Sequence, residues 1–325
     1  MSTSGTYNFS VTRDQLITDA MLNLGLLGEA EVPTAQEITD CAFKLNMLVK
    51  QWMGLQDFAP GLKMWSRQRA DLFLSSTKYQ YSIGPSGDNW AAGFTAGSGN
   101  FGQQQLTANA VSTTTLTFGS GNLGNFTVGD NLVIQLDSGD TFSTTVSTIG
   151  SSTITIATQV PSQASTNNYV WNYTTKGQRP LNIVTALLRD INNNDTPLNI
   201  LTLQEYEAMP SKTDPNNLSD PTSIYYESQL TNGQLYIDCG GAQDVTKHIH
   251  AVYLRPIQDF DNATDNPEYP QQWYRALCWG LAKDIAPMFD AEWTPTMQDN
   301  FKDSLAMARE ADSETTAMYF QPNDN

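Results

Sequence analysis

Four carboxylates lie within one stretch of ten residues, namely Asp259, Asp261, Asp265 and Glu268. The first three match the first, third and seventh positions of a calcium-binding loop, where oxygen ligands suit Ca²⁺. The same template requires Asp or Asn, Gly and Glu at its fifth, sixth and twelfth positions. This sequence has Ala263, Thr264 and Pro270 there. The spacing therefore favours turn and capping roles at the start of a following helix over a metal site.

Two histidines provide the next candidate site. His248 and His250 are two residues apart on a predicted strand, which places both rings on one face. A metal would need a third ligand, and the neighbouring sequence does not supply one. We therefore expect a polar strand face or an interface, and we predict no metal ligand and no cofactor.

The sequence gives little support for covalent or hydrolytic chemistry. It lacks the G-x-S-x-G and H-E-x-x-H motifs. The cysteines are far apart and form no C-x-x-C, which predicts buried, reduced thiols at Cys41, Cys239 and Cys278. Two carboxylates in a cleft would suffice for glycoside hydrolysis. The nominal pairs are more typical of a solvated face; they are Glu205 with Glu207 and Glu29 with Glu31. We predict no catalytic residue.

Two glycine-rich stretches fit the pattern G-x-G-x-x-G, at residues 97–102 and 119–124. A dinucleotide fingerprint requires a buried strand before the motif and a helix directly after it. A polar segment follows the first copy, and a predicted strand follows the second. Both are interpreted as β-turns, and no nucleotide is expected.

The net charge argues against a third class, the conventional DNA-binding proteins. The chain has 325 residues and a formal net charge of −17, with only 17 Lys and Arg side chains. Sequence-independent DNA binding requires several basic groups that neutralise phosphates, whereas an acidic surface lets DNA pass without adhering. The first ten residues lack a signal-peptide pattern, and no apolar run approaches the ~18 residues of a membrane span. We expect folding in a cytoplasm, with no membrane partner.

The elements that position these residues begin with two amphipathic helices. The first follows Thr12, which has capping-box spacing to Gln15, and the second follows Thr34, with the same spacing to Glu37. The short link between them predicts an antiparallel pair.

A shift in composition marks an inserted domain. No Lys or Arg occurs between Lys78 and Lys176, and short alternating runs rich in Ser and Thr recur there between turn residues. This pattern predicts a small all-β barrel or sandwich inserted at residues 86–175. Residues 1–85 and 176–325 then form the core of the protein.

The remaining sequence predicts β-hairpins followed by two helices. Asn232-Gly233 between alternating runs is a strong hairpin signal. The fold class is therefore α+β, with two N-terminal and two C-terminal helices, antiparallel β-hairpins and the inserted β-domain. The third of these helices, in "QQWYRALCWGLAKDIAPMF", has a broad apolar stripe. Core packing explains most of this stripe, and its width also predicts a subunit interface at Trp273, Tyr274 and Trp279.

These segments resemble a known family. The series "RDQLITDAMLNLGLLG", "LNMLVKQW", "IYYESQLTNGQLYI" and "VYLRPIQDFDNATDNPEYPQQWYRALCWGLAKDIAP" is similar to the head-to-tail adaptors of short-tailed bacteriophages. Members are described as head-completion, tail-accessory or packaged-DNA-stabilisation proteins. The resemblance covers residues 1–85 and 176–325 and is most specific from Tyr253 to Pro287. It does not cover the insert.

The resemblance implies a structural virion protein without catalysis. Such adaptors form a ring, usually of twelve copies, that docks under the portal protein at the head-tail junction. They extend the DNA channel, help retain the packaged DNA and provide a platform for the tail nozzle and the fibres or spikes. Their C-terminal segment reaches toward the portal, which implies Tyr319 and Phe320 as anchors here. The low basic content agrees with a channel wall along which DNA slides.

Two other classes remain open from the sequence. One is a cell-wall hydrolase carried by the virion, for which two carboxylates in a cleft would suffice. The other is a host-binding tail protein, suggested by the Ser/Thr-rich insert. The helices at both ends of the chain argue against this second alternative.

Overall fold

The computed structural model describes residues 5–28, 30–54, 65–94, 101–119 and 123–312. It confirms the α+β class. The chain divides into two units, one formed by Met1–Ser66 with Pro256–Asn325 and the other by Arg67–Arg255. The first unit is helical, and the second contains the strands.

Five α-helices occur in the described ranges: α1 Arg13–Asn23, α2 Ala35–Gly54, α3 Leu203–Glu207, α4 Tyr274–Ile285 and α5 Pro295–Ala311. Short 3-10 turns at Gln271–Trp273 and Ala286–Phe289 flank α4. None of these helices is both long enough and apolar enough to cross a bilayer.

Both predicted capping boxes of the helical unit are present. The backbone N–H of Gln15 donates to the Thr12 hydroxyl at 3.3 Å, and the Gln15 side chain accepts from the Thr12 N–H at 2.9 Å. At the start of α2, Glu37 N–H donates to the Thr34 hydroxyl at 3.3 Å, and the Glu37 carboxylate accepts from Thr34 N–H at 2.7 Å. These bonds satisfy N–H groups that have no partner inside the helix.

The core of the helical unit forms around α4, which contacts α1, α2 and α5. Its residues from Ala276 to Ala282 are all buried. Leu45 and Trp52 of α2 and Ile17 of α1 belong to the same apolar cluster. Because α4 is apolar on nearly all sides, it fits the position of a central helix rather than a surface helix.

The strands, in chain order, are β1 Arg67–Phe73, β2 Gln80–Ile83, β3 Trp90–Gly93, β4 Gly102–Gln105, β5 Thr115–Thr117, β6 Asn131–Gln135, β7 Thr141–Ile149, β8 Thr153–Ile156, β9 Tyr169–Tyr173, β10 Thr175–Lys176, β11 Asn182–Arg189, β12 Asp195–Leu201, β13 Leu218–Ser219, β14 Ser223–Glu227, β15 Gly233–Ile237, β16 Gly241–Ala242 and β17 His248–Leu254.

A nine-stranded sheet has the order β10-β3-β1-β17-β11-β12-β14-β15-β2. The hairpin β14–β15 predicted from Asn232-Gly233 is confirmed, and a second antiparallel hairpin, β11–β12, turns through an Asn-rich segment at residues 190–194. The pairing of β12 with β14 is parallel, and the connection between them contains α3. Only antiparallel hairpins were predicted, because no local turn signal indicates a parallel pair whose strands are joined by a long connection. A two-stranded sheet pairs β13 with β16.

A six-stranded antiparallel sheet has the order β4-β9-β6-β7-β8-β5. An isolated bridge between Leu106 and Phe118 links its two edges. Its strands lie between Gly102 and Tyr173, inside the predicted insert at 86–175. β3, which also lies in that range, and β10, which begins at its last residue, belong to the larger sheet instead. The domain boundaries remain a prediction.

An aromatic cluster connects the two large sheets within the second unit. The Phe73 ring of β1 lies 5.2 Å from the Trp171 ring and 6.4 Å from the Tyr173 ring, both on β9. The Tyr173 hydroxyl donates to Asn89 Oδ1 at 3.0 Å. Ser76 N–H also donates to Gly139 O at 2.9 Å. We call this contact between the two large sheets the sheet joint. It is apolar at its centre and hydrogen bonded at its rim, which favours a small sheet held rigidly against the large one.

Candidate functional site

The acidic loop uses its carboxylates to satisfy its own backbone. Asp265 accepts the N–H groups of Asp261 and Asn262 at 2.8 and 2.7 Å. These bonds hold the pKa of Asp265 below its usual value, with the Asn262 N–H as the largest cause. Glu268 accepts the N–H of Gln258 at 3.1 Å. The arrangement confirms the predicted turn chemistry.

The same loop caps a different helix from the one expected. Its carbonyl groups at Asp265 and Ala263 accept the N–H groups of Arg13 and Asp14 at 2.8 and 3.4 Å. The Arg13 guanidinium also donates to Asp261 O at 3.1 Å. These bonds satisfy the first turn of α1. The expected capping of the helix that follows was wrong, because neither the 3-10 turn nor α4 has an acidic residue in its first turn, and Asp265 and Glu268 accept backbone N–H groups of the loop instead.

Helix α2 holds the other end of the loop. The Asn46 side chain donates to Phe260 O at 3.2 Å and accepts from Phe260 N–H at 2.9 Å. Lys50 Nζ donates to Ile257 O at 2.7 Å and forms an ion pair with Asp259. The loop therefore joins α1 and α2 to the chain that leads into α4. Among the described ranges, no three or more His, Cys, Asp or Glu side chains are placed to hold a metal.

The two histidines surround a buried carboxylate. Asp71 of β1 is the register partner of His250, and its Oδ1 lies 2.8 Å from His250 Nδ1. His248 Nε2 lies 3.4 Å from the same oxygen. Both histidines are close together in sequence and were predicted as candidates, whereas Asp71 was not, because only the pairing of β1 with β17 brings it to them.

His248 lies at the sheet joint and is closed to solvent. Its side chain is 2% exposed, and its ring lies 4.9 Å from Phe101 in an edge-on arrangement and 5.9 Å from Phe73. Neither ring nitrogen has a hydrogen-bond partner within the described part of the chain. Burial lowers the pKa of His248 to about 4, and the nearby Asp71 carboxylate opposes that change. A substrate has no access to this ring, so proton transfer to a ligand is not supported here.

The nominal carboxylate pairs have structural roles where they are described. Glu205 forms a capping box with Thr202, accepting its N–H at 2.8 Å, and Glu207 forms an ion pair with Lys212 at 3.2 Å. Glu31 accepts Gly28 N–H at 2.8 Å. Glu29 and most of the two glycine-rich stretches lie outside the described residues.

All three cysteines are free and buried, as predicted. Burial raises the pKa of the Cys41 thiol to about 11. Burial also raises the pKa of Cys278, whose Sγ lies 2.8 Å from Asp19 Oδ2. Thiols of this kind are poor nucleophiles at neutral pH because the thiolate is scarce.

The predicted interface residues of α4 and its flanking turn make contacts within the helical unit. Trp273 is 1% exposed, and its ring lies 5.9 Å from Trp52. Trp279 is buried too, 6.3 Å from Trp293. Tyr274 is half-buried at 6.2 Å from Phe9. Core packing thus accounts for both indoles. Tyr319 and Phe320 lie outside the described residues.

Two exposed apolar surfaces of the helical unit were not singled out from the sequence. The arm surface is formed by Tyr7 and Phe9, which are 94% and 66% exposed. Their carbonyls accept hydrogen bonds from Gln271 Nε2 at 3.2 and 2.7 Å. The α2 ridge is formed by Phe43 and Met47, 66% and 52% exposed. Their spacing of four residues, on the face opposite the core stripe, was the available signal.

Comparisons with known proteins gave no match, either to a family model or to a curated protein.

Proposed function

We propose that this chain is a structural virion protein, a ring-forming head-to-tail adaptor. The observation that carries this proposal is that one helical unit has two different exposed apolar surfaces, the arm surface and the α2 ridge. A closed ring is built from heterologous contacts, in which each subunit contributes two unlike complementary surfaces. Exposed apolar side chains in groups are a feature of interaction sites.

The roles of the candidate catalytic groups support a non-enzymatic function. Two carboxylates of the acidic loop, Asp265 and Glu268, bind backbone N–H groups, Asp259 forms an ion pair with Lys50, and His248 is closed to solvent. Catalytic groups need access to substrate, and His248 does not meet that requirement. The acidic loop does line an open depression, where Asp265 and Glu268 are already bound to backbone N–H groups.

In the proposed assembly, about twelve copies dock under the portal protein and extend the DNA channel. The net charge of −17 supports a wall that helps retain DNA by geometry and does not bind it by sequence. Tyr319 and Phe320 are the proposed portal anchors. The tail nozzle and the fibres or spikes then bind the opposite side of the ring, so the protein resides at the head-tail junction of the virion.

We further propose that the small six-stranded sheet is an inserted barrel or sandwich that presents a docking surface to tail or capsid proteins. The bridge between its two edges supports a curled sheet. The sheet joint supports a rigid module, because Phe73 and Trp171 pack across it. A rigid module places a docking surface at a fixed position on each subunit.

The first experiment measures mass by native mass spectrometry or light scattering, for the chain alone and with its portal protein. We expect a portal complex with about one adaptor for each portal subunit. Phe43→Asp and Met47→Asp should abolish lateral association, because a charge would be buried at the α2 ridge. Met307→Asp is the matched control, since Met307 of α5 is similarly exposed and lies outside both surfaces.

Failure to bind the portal, with a monomer throughout, would refute the adaptor function. Equal association of the ridge variants and the control would refute the assignment of the ridge while leaving the adaptor function intact.

A separate deletion tests the insert. Gly93 and Thr175 are register partners of β3 and β10, so a short Asn-Gly turn joining them removes the small sheet and keeps both strands in the large sheet. The deletion removes Trp171 and Tyr173, which pack against the Phe73 ring. Phe73→Ser is therefore included, so that no large apolar side chain becomes exposed. We expect rings that bind the portal but do not acquire fibres or spikes. Unchanged attachment would show that the insert is not a docking module.

A further inference from the structure

A groove on the nine-stranded sheet contains two arginines beside an apolar wall. Its volume is about 590 Å³, and it is open to solvent on one side. The residues that matter for its chemistry are Arg67, Arg69, Phe94, Val184, Thr185 and Val252. We call this the Arg69 groove. It lies entirely within the second unit of the chain.

Within the described ranges, the Arg69 guanidinium makes no hydrogen bond or ion pair. The carboxylate two positions along the same strand face, Asp71, is engaged with His250 at 2.8 Å. An unpaired guanidinium is unexpected in a chain with 34 acidic and 17 basic residues, and it presents a planar fork suited to a carboxylate.

The backbone is shaped to place apolar side chains beside this guanidinium. The register of β11 against β17 shifts between Ile183 and Thr185, so Val184 is the extra residue of a β-bulge. The bulge lets Val184 and Thr185 both line the groove opposite Val252. Bulges redirect side chains and occur frequently at functional sites. Val184 is 37% exposed as a result.

We infer that the Arg69 groove binds an acidic segment of a partner protein, with a carboxylate on Arg69 and an adjacent apolar side chain against Phe94, Val184 and Val252. Charge complementarity selects the carboxylate. The groove is open along one side, whereas small-molecule sites bury most of their ligand, which favours a protein segment. A nucleic acid would need several cations along its backbone, and the groove lining contains two.

This inference does not depend on the adaptor function. It names a binding site on the sheet, separate from the arm surface and the α2 ridge of the helical unit, and its test uses the full chain without a portal.

The test is a selection of random heptapeptides displayed on phage against the immobilised full chain, followed by fluorescence anisotropy with the selected peptide. We expect sequences with Asp or Glu next to an aromatic or aliphatic residue. Arg69→Gln should weaken binding about tenfold or more, since hydrogen bonds between charged groups are among the strongest. Arg69→Lys should restore part of it, because Lys keeps the charge and loses the fork.

Arg275→Gln is the matched control, because Arg275 is also exposed but belongs to α4; it should leave binding unchanged. Val184→Gln should reduce the apolar preference and retain the acidic one. The inference is overturned if nothing is enriched, if basic peptides are enriched, or if Arg69→Gln selects the same peptides. It is also overturned if the natural protein binds a labelled single-stranded oligonucleotide, or associates with a second copy of itself, and Arg69→Gln abolishes that binding.

Discussion

Acidification should destabilise this protein through one buried side chain, His248. Its ring is neutral in the folded protein, because burial lowers its pKa from 6.5 to about 4. In the unfolded chain the ring is hydrated and titrates with the ordinary value. Between these two pKa values the unfolded chain binds a proton that the folded protein does not. The contribution of the neutral His248 ring to the free energy of unfolding is therefore complete above pH 6.5 and is lost as the pH decreases toward 4.

The magnitude follows from linkage between protonation and folding. Between about pH 7.5 and about pH 4.5, this single group should reduce the free energy of unfolding by about 2.5 kcal/mol. The charged or titratable groups that act on His248 are Asp71 and Asp195, which raise its pKa, and Arg189 and His250, which lower it. Asp71→Asn should therefore lower that pKa further and steepen the loss of stability.

The assay compares urea unfolding of the natural protein and of His248→Leu across this pH range, using circular dichroism and tryptophan fluorescence. Exposed carboxylates titrate in both proteins, so the difference between the two curves isolates His248. The variant should equal or exceed the natural protein in stability at neutral pH, because leucine removes two unpartnered buried nitrogens. It should then lose less stability in acid. His250→Gln serves as a control that keeps most of the slope. Parallel curves for the natural protein and His248→Leu would refute the reasoning.

Three further predictions concern the helical unit and the thiols. Asp265→Ala should lower the urea midpoint of unfolding, since the N–H groups of Asp261 and Asn262 lose their acceptor; added Ca²⁺ or a chelator should change neither protein, and a Ca²⁺-dependent midpoint in the natural protein would contradict the capping role. Trp273→Ala should cost about 3–5 kcal/mol of stability, because the indole is 1% exposed; a stable variant that only fails to assemble would instead place this residue at a subunit interface. Cys41, Cys239 and Cys278 should resist iodoacetamide near neutral pH and react fully in urea, since all three are buried; rapid labelling of the folded chain would refute this.

Local signals in the sequence predicted most of the helices and hairpins, because those signals act within a few residues. Thr34 and Glu37 are three residues apart, and their bonds form as expected. The Asn232-Gly233 pair correctly marked the β14–β15 hairpin, although the connection between these strands is longer than two residues.

These local signals could not predict the order of the strands in the large sheet. β2 pairs with β15, and β12 pairs in parallel with β14. Such pairings depend on burial of whole strand faces and on the register that this burial selects. They contain no turn that joins the partners in sequence.

The same limit explains why the candidate sites were only partly predicted. The acidic loop has its charges close together in sequence, yet the backbone groups that it binds at Arg13 and Asp14 lie near the start of the chain. Conversely, Asp71 stands alone in sequence, and only the β1–β17 register brings it to His250. A dense local cluster of titratable residues is thus a weak guide to chemistry, because turns and caps need the same side chains. An isolated charge on a buried strand is more informative, since burying it is costly unless it has a partner. By that argument Asp71 marks a site where partner strands must supply neutralising groups. Arg69 lies on the same face but is exposed, so it incurs no such cost and is accessible to the partner segment proposed above.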